Sequence, residues 1–265
     1  MDKPGAEPQS VIKVGGSMLC DRAAYDGVAR ALASELDLGS RCIVVSAARG
    51  VTDEILQAEP DGPAARRLIA RHEALLGGPL PAQLRRDLDH AMLEAAAGSR
   101  SRWLAWGERA SATALQHALA KLGHTLAVVE LAPWAPAPSA SAIIPGFYVL
   151  DRARQIRILP RGGSDISAVV AARWLGARTA RLWKAGGGFR GAAGLVLDVV
   201  SPADLLATIG SRVRPVHPDA VRLACNSGIE ITLEDPIGRG QSTRVTGGAA
   251  AVAPPEFELP AEAQP

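Results

Sequence analysis

Short β-branched runs alternate with segments of helical period along most of this chain, and that alternation restricts the possible folds more than any other feature. Residues 10–14 form an apolar run with Lys13 inside it; Gly15, Gly16 and Ser17 follow, and then Val28, Leu32 and Leu36 recur at helical spacing across residues 21–36. Residues 41–46 repeat the β-branched theme, and residues 47–53 beyond them are small and turn-prone. Further strands are expected at 125–130, 178–183, 229–233 and 242–245, with extended chain at 143–147 and a hairpin completed by 155–159. Residues 63–101 read as a helical excursion broken at Pro79 and Pro81. Gly107-Glu108 is expected to open an amphipathic helix carrying Leu115, Ala118, Leu119 and Leu122 and closed by Gly123; other helices are expected at 166–175, 202–209 and 218–226. Such alternation implies α/β architecture, with helices on both faces of a largely parallel sheet and ligands gathering at the carboxyl ends of its strands. A lobe boundary is expected near Ala140, and the Pro/Ala/Glu tail at 249–265 is expected to be unpacked and flexible.

Composition narrows the class. Of 265 residues 48% are hydrophobic, enough for one substantial core, and 29 basic against 27 acidic residues leave a net charge of +2 with no Lys/Arg run. Nucleic acid is therefore not an expected partner. Cys20, Cys42 and Cys225 are far apart and lack CxxC spacing, which points to a reducing compartment. Apolar stretches break before the ~18 residues of a membrane span, and residues 1–9 lack the order of a signal peptide, so a soluble cytoplasmic protein without a membrane partner is expected. Lysine is scarce, confined to Lys3, Lys13, Lys121 and Lys184, which makes a lysine inside a strand conspicuous.

Four segments carry residues suited to chemistry. In Val-Ile-Lys-Val-Gly-Gly-Ser, Lys13 places a cation in a buried strand and Gly15-Gly16 let backbone N–H groups approach an anion such as a phosphoryl group. A strand-end lysine reaching solvent beside a tight turn would leave the same pattern, and the segment is neither a Walker A loop nor GxGxxG. Arg161-Gly162-Gly163-Ser164-Asp165 stands at a helix start, where glycines expose donors, Arg161 can grip a carboxylate and Asp165 can orient Lys13; Ser164 or Asp165 would equally serve as a plain N-cap. Glu108 in Gly107-Glu108-Arg109-Ala110-Ser111 is either a carboxylate favoured by the helix dipole or a substrate ligand. Residues 45–53, with Ser46 and Thr52, can bind the polar end of a small substrate or simply cap a loop.

In this order, Lys-x-Gly-Gly-Ser, Val-Val-Ser-Ala-x-x-Gly-Val-Thr-Asp, Gly-Glu-Arg-x-Ser, Pro-Gly-Phe and Arg-Gly-Gly-Ser-Asp resemble the catalytic domain of aspartokinases in the amino-acid-kinase family. The likeness continues through Arg214-Pro215-Val216-His217-Pro218-Asp219-Ala220-Val221 and covers roughly residues 11–245. It implies the amino-acid-kinase (carbamate-kinase-like) fold, a three-layer αβα sandwich over residues 1–248, with the substrate side about 10–140 and the nucleotide side about 141–248. It also implies ATP and Mg2+ as cofactors, transfer of the γ-phosphoryl group to the side-chain carboxylate of aspartate or a close analogue, and association as a homodimer or other homo-oligomer. On this resemblance Lys13 and Asp165 are catalytic. Ser46, Thr52, Glu108, Arg161 and Ser164 bind the substrate, Glu108 at its amino group and Arg161 and Ser164 at its carboxylate. Gly15, Gly16, Ser17, Gly162, Gly163, Lys184, Gly186, Gly187 and Arg214 face phosphate or nucleotide, and no side chain is assigned to a metal. A carboxylate is already a nucleophile at neutral pH, so positioning and charge neutralisation suffice, and His217 is read as structural.

Departures fall on the nucleotide side. Where family members carry Trp-Thr-Asp-Val-Asp-Gly, this chain has Trp183-Lys184-Ala185-Gly186-Gly187-Gly188-Phe189-Arg190-Gly191, a phosphate cradle or a loop left after nucleotide binding was lost. Arg214 stands for the family lysine, keeping charge but not shape. No regulatory domain is read after residue 245, so feedback control of the usual aspartokinase kind is not expected. The leading expectation is an aspartokinase-like phosphotransferase. The alternatives are a non-catalytic amino-acid- or oxyanion-binding member, acting as a regulatory or storage subunit, and a kinase for another small metabolite.

Overall fold

A computed structural model describes residues 10–39, 41–191, 193–208, 215–238 and 240–246. Arg214 and the tail at 249–265 lie outside the described residues. In chain order the elements are β1 (Ser10–Val14), a 3-10 turn (Gly16–Met18), α1 (Arg22–Asp37), β2 (Arg41–Val45), α2 (Val51–Gln57), α3 (Gly62–Leu76), α4 (Ala82–Ala96) and α5 (Ser101–Ala120). They continue with β3 (Ala127–Val128), β4 (Ala142–Pro145), β5 (Tyr148–Leu150), β6 (Ile156–Ile158), α6 (Ser164–Trp174), β7 (Thr179–Trp183), β8 (Phe189–Arg190) and β9 (Val196–Leu197). The last are β10 (Val199–Val200), α7 (Pro202–Thr208), α8 (Pro218–Ser227), β11 (Glu230–Glu234) and β12 (Ser242–Val245).

One eight-stranded sheet runs β10-β12-β11-β7-β1-β2-β4-β3, and among its described pairings only β11 with β12 is antiparallel. The strand period of two then sorts side chains between two cores. Ile12, Val14, Ile43 and Val45 join residues of α1 to α5 on one face, while Val11, Val44, Leu182 and Leu233 join α6, α7 and α8 on the other. The fold is thus the helix-covered parallel sheet that the alternation implied. Lys13, central in the sheet opposite Val44 and Leu182, shares the face of Val11 and so projects toward α6.

Local signals explain some helix starts. Asp21 caps α1 and Asp61 caps α3, each accepting from the backbone N–H three residues on, at 2.9 and 2.8 Å. Trp103 and Trp106 are fully buried, and their indole N–H groups donate to the carbonyls of Ile55 and Leu84 at 3.1 Å, so burial leaves neither donor unsatisfied. Among the described residues no helix is long and apolar enough to cross a membrane.

Four expectations need correction. Gly107-Glu108 does not open α5, which begins at Ser101 and places Glu108 mid-helix. The glycine marks a close approach instead of a boundary: a Cβ there would lie 2.9 Å from Val51 Cγ1 and 3.1 Å from Ile55 Cδ1, so its absence lets α5 pack against α2. Residues 47–53 are not all turn, since α2 starts at Val51. The stretch at 143–147 joins the main sheet as β4, and the hairpin is made by β5 with β6. The strand expected at 125–130 shrinks to Ala127–Val128 at the sheet edge.

Candidate active site

Lys13 near the carboxyl end of β1, Lys184 just after β7 and Asp165 in the first turn of α6 form an ionic cluster. Lys13 Nζ lies 2.9 Å from Asp165 Oδ1 with both side chains almost fully buried. That contact is an ion pair without hydrogen-bond alignment, since Oδ1 accepts no hydrogen bond. Oδ2 accepts from Lys184 Nζ at 2.7 Å and from the backbone N–H of His217 at 3.0 Å. Lys184 Nζ also donates to the carbonyl of Pro215. Burial alone would raise the Asp165 carboxyl, but the ammonium groups of Lys13 and Lys184 outweigh it and hold it well below the usual carboxylate range. Burial lowers the Lys184 ammonium; Asp165 opposes that shift and Lys13 adds to it.

Beside the cluster opens a cleft of about 440 Å3. Of the residues singled out from sequence, Gly16, Ser17, Ser46, Thr52, Glu108, Arg161, Gly162 and Ser164 all line it. The turn after β1 reaches the cleft because Gly16 lacks a side chain: a Cβ would sit 2.7 Å from the Ala47 carbonyl oxygen. Gly15 donates to the Trp183 carbonyl at 2.9 Å and Ser17 Oγ accepts from Ala185 N–H at 3.2 Å, tying that turn to the loop after β7.

Glu108 is the most unusual group in the wall. It is 2% exposed; Oε1 accepts from Ala47 N–H at 3.4 Å and Oε2 has no hydrogen-bond partner. Burial pushes its carboxyl up from 4.5 to about 8, against the smaller opposing effects of its backbone hydrogen bonds and of Lys13. At the mouth, Arg161 donates to Asp53 Oδ1 at 2.5 Å, and both side chains are exposed.

Other expected residues are placed differently. Gly163 serves packing at the start of α6, where its N–H donates to the Pro160 carbonyl and a Cβ would meet Leu159 Cβ at 2.5 Å. Gly186 N–H donates to Asp235 Oδ2 at 2.8 Å and Gly187 N–H to the Lys184 carbonyl at 3.0 Å, so these donors close the loop on itself instead of forming an open phosphate cradle. His217 caps α8, its Nδ1 accepting from Asp219 N–H at 3.1 Å. Sequence reasoning did not single out Arg49 or Asp53 within the 45–53 segment and gave no role to Phe147; all three line the cleft. The adjacency of Asp53 to Thr52 was the available signal; Phe147, held at a φ of 69°, closes the Pro-Gly-Phe motif, which marked its position without giving it a role. Among the described residues no three His, Cys, Asp or Glu side chains group to hold a metal ion.

The amino acid kinase family model matches residues 9–235. This chain belongs to the amino acid kinase family. Among solved structures in the same family fold, the aspartate kinase of Clostridium acetobutylicum superimposes with a TM-score of 0.74 at 17% identity, over 90% of this chain and 62% of that one. Aspartokinase III of E. coli in complex with aspartate and ADP gives 0.73 at 18% identity, over 90% and 65%. The UMP kinase of Ureaplasma parvum gives 0.51 at 12% identity, over 91% and 100%. The chain thus spans less than two thirds of the aspartate kinases it matches and nearly all of its length pairs with a shorter family kinase. No curated protein matches it.

Proposed function

We propose that this amino acid kinase family member is an ATP-dependent phosphotransferase whose acceptor is a carboxylate of aspartate or a close amino-acid analogue, giving an acyl phosphate. One observation carries the choice of acceptor: the buried Glu108 carboxyl, with Oε2 unpartnered, faces a cleft sized for a small molecule. An unsatisfied buried carboxyl is costly, and a substrate ammonium removes that cost. Beside the cleft, the described side chains of the Lys13–Asp165–Lys184 cluster are two ammonium groups to one carboxylate, which suits a phosphoryl group.

The residues present fit ATP at that cluster. ATP supplies the electrophilic γ-phosphorus and the leaving group; Mg2+ in such reactions is held largely by phosphate oxygens. An acceptor carboxylate oxygen bonds to that phosphorus as the bond to the bridging oxygen breaks and ADP departs with the electron pair. Lys13 offsets the charge on the transferred group, Asp165 fixes Lys13, and no base is required because the nucleophile is already ionised. Glu108 holds the acceptor's ammonium, and Arg161, exposed at the mouth and paired with Asp53 through Nη2, grips the second carboxylate through Nη1.

The fact that the Gly186 and Gly187 donors are engaged within the protein favours, as second reading, an amino-acid-binding member without turnover. Incubation with Mg-ATP, single amino acids and hydroxylamine separates the two, because an acyl phosphate is trapped as a hydroxamate. Hydroxamate with aspartate supports the proposal. ATP binding without hydroxamate from any carboxylate rejects the acceptor, and absence of ATP binding selects the second reading.

A further inference from the structure

We infer that Arg49 is a specificity-determining residue of the acceptor site: its guanidinium holds the acceptor's second carboxylate and makes the cleft select amino acids that carry one. The inference rests on the acceptor reading above and adds to it a residue and a rule of selection.

The charges in the cleft wall point to this residue. Four lining side chains ionise: Arg49, Asp53, Glu108 and Arg161. Asp53 and Arg161 pair with each other, so their charges cancel, and Glu108, with Oε2 unpartnered, calls for a cation. Arg49 remains. Its described side-chain contact runs from Nη1 to the Cys20 sulfur at 3.9 Å, a long contact to a weak acceptor, and no carboxylate among the described residues pairs with it. An uncompensated cation in the wall of a cleft attracts an anionic ligand group, and the planar fork of a guanidinium matches the two oxygens of a carboxylate.

The backbone fixes where that cation stands. Arg49 N–H donates to the Leu19 carbonyl at 3.0 Å, and the Arg49 carbonyl accepts from Arg71 Nη2, while Arg71 Nη1 donates to Glu54 Oε2 at 3.1 Å. Residue 49 is thus held at both backbone polar groups, although the residue itself is exposed. Two residues earlier, Ala47 N–H donates to Glu108 Oε1 at 3.4 Å. Two residues of chain span at most about 7 Å, so Glu108 and the stem of Arg49 adjoin the same short stretch of loop. An α-amino acid carries its ammonium and its α-carboxylate on one carbon, and groups that read both must stand close together, as these two do. Arg161 gives the same carboxylate a second grip, but with its charge matched by Asp53 it supplies hydrogen bonds and little net attraction. Lys13 and Asp165 are buried beside the cleft, whereas Arg49 is exposed in its wall, so Arg49 serves the acceptor and not the phosphoryl group. The resembled pattern Val-Val-Ser-Ala-x-x-Gly leaves this position unspecified, and an arginine here is a feature of this chain.

The test compares wild type with Arg49→Gln and Arg49→Lys against aspartate, aspartate α-amide and β-alanine. β-Alanine keeps the ammonium and the nucleophilic carboxylate of aspartate and lacks the second carboxylate; the amide keeps its shape without its charge. Calorimetry reads affinity, and hydroxamate formation with Mg-ATP reads kcat and KM. Wild type should bind aspartate at least about 10-fold more tightly than either of the other two. Arg49→Gln should weaken aspartate binding by about 10- to 100-fold and leave the amide and β-alanine within about 3-fold, with KM following affinity and kcat within about 3-fold of wild type. Arg49→Lys should recover part of the loss for aspartate, since it restores the charge without the planar fork. Equal losses for aspartate and β-alanine, unchanged discrimination in Arg49→Gln, or a fall in kcat at constant KM overturns the role of Arg49 and leaves the acceptor reading intact. Failure of wild type to bind aspartate overturns the acceptor reading first, and this inference with it.

Discussion

Replacing Glu108 by glutamine keeps the shape of the side chain and its Oε1 acceptor for Ala47 N–H while removing its titration. In the native protein burial pushes this carboxyl up from 4.5 to about 8. Between those values the native state still holds a proton that the unfolded chain has released. The Glu108 contribution to stability is therefore complete below about 4.5 and is lost as pH rises through about 8. The shift amounts to roughly 3 kcal/mol lost by about pH 7 and roughly 4 to 5 kcal/mol by about pH 9. Glu108→Gln has no such loss. Its melting temperature should lie near that of wild type at about pH 5 and exceed it by on the order of 10 °C at about pH 8 to 9, taking roughly 2 to 4 °C per kcal/mol for a chain of this size. Scanning fluorimetry across that range measures the gap directly, and every other titrating group cancels in the comparison. Parallel curves for the two proteins would refute the claim that Glu108 is buried and short of a partner. The same pair of proteins tests ligand chemistry. Aspartate should stabilise wild type with release of a proton near about pH 7, seen as a dependence of the calorimetric heat on buffer ionisation enthalpy, and should have no such effect on Glu108→Gln.

Three further outcomes follow from the same geometry. Asp165→Asn leaves the Lys13 and Lys184 ammonium groups facing each other without a carboxylate and should cost about 3 to 5 kcal/mol in urea titrations, partly restored by added phosphate; an unchanged midpoint would contradict the ionic cluster. Gly16→Ala drives a Cβ to 2.7 Å from the Ala47 carbonyl oxygen and should destabilise by about 1 to 3 kcal/mol while lowering activity, whereas a neutral result would mean that the β1 turn and the β2–α2 loop separate freely. Arg161→Ala removes an exposed pair with Asp53 and should leave the melting temperature almost unmoved while raising the acceptor KM about 10- to 100-fold; a fall in kcat at constant KM would argue against a carboxylate-gripping role.

What could be read in the sequence divides by distance along the chain. β1 and β12 stood out because β-branched runs meet glycine or polar turns within a few residues, whereas the face on which Lys13 lies, apart from Ile12 and Val14, came only with the sheet. Gly107 misled because a glycine that ends a helix and a glycine that admits a neighbouring helix are the same letter; only the positions of Val51 and Ile55 decide between them. The Lys184 contact to Asp165 and the Arg161 contact to Asp53 join residues 19 and 108 positions apart, and no local pattern records such pairings. The triple glycine after Lys184 looked like a phosphate loop because its composition permits one, but the Asp235 carboxylate, 49 residues on, already takes the Gly186 donor.

The groups left short of partners constrain the ligand more tightly than the groups that are satisfied. Two kinds of deficit lie at or beside this cleft: in its wall a carboxyl oxygen of Glu108 without a donor, and next to it a cluster whose described side chains carry more positive than negative charge. They lie close enough for Lys13 to influence the Glu108 carboxyl, so one small molecule and the phosphoryl group it receives can answer both. An ammonium at Glu108 lets that carboxyl ionise and adds an attractive pair, while an anion at Lys13 and Lys184 completes the charge of the cluster. A molecule bearing both an amino group and a nucleophilic carboxylate matches this order of charges. An acceptor that lacks a cation, such as a nucleoside monophosphate, leaves Glu108 buried with one oxygen unmatched, and should therefore bind more weakly to wild type than to Glu108→Gln.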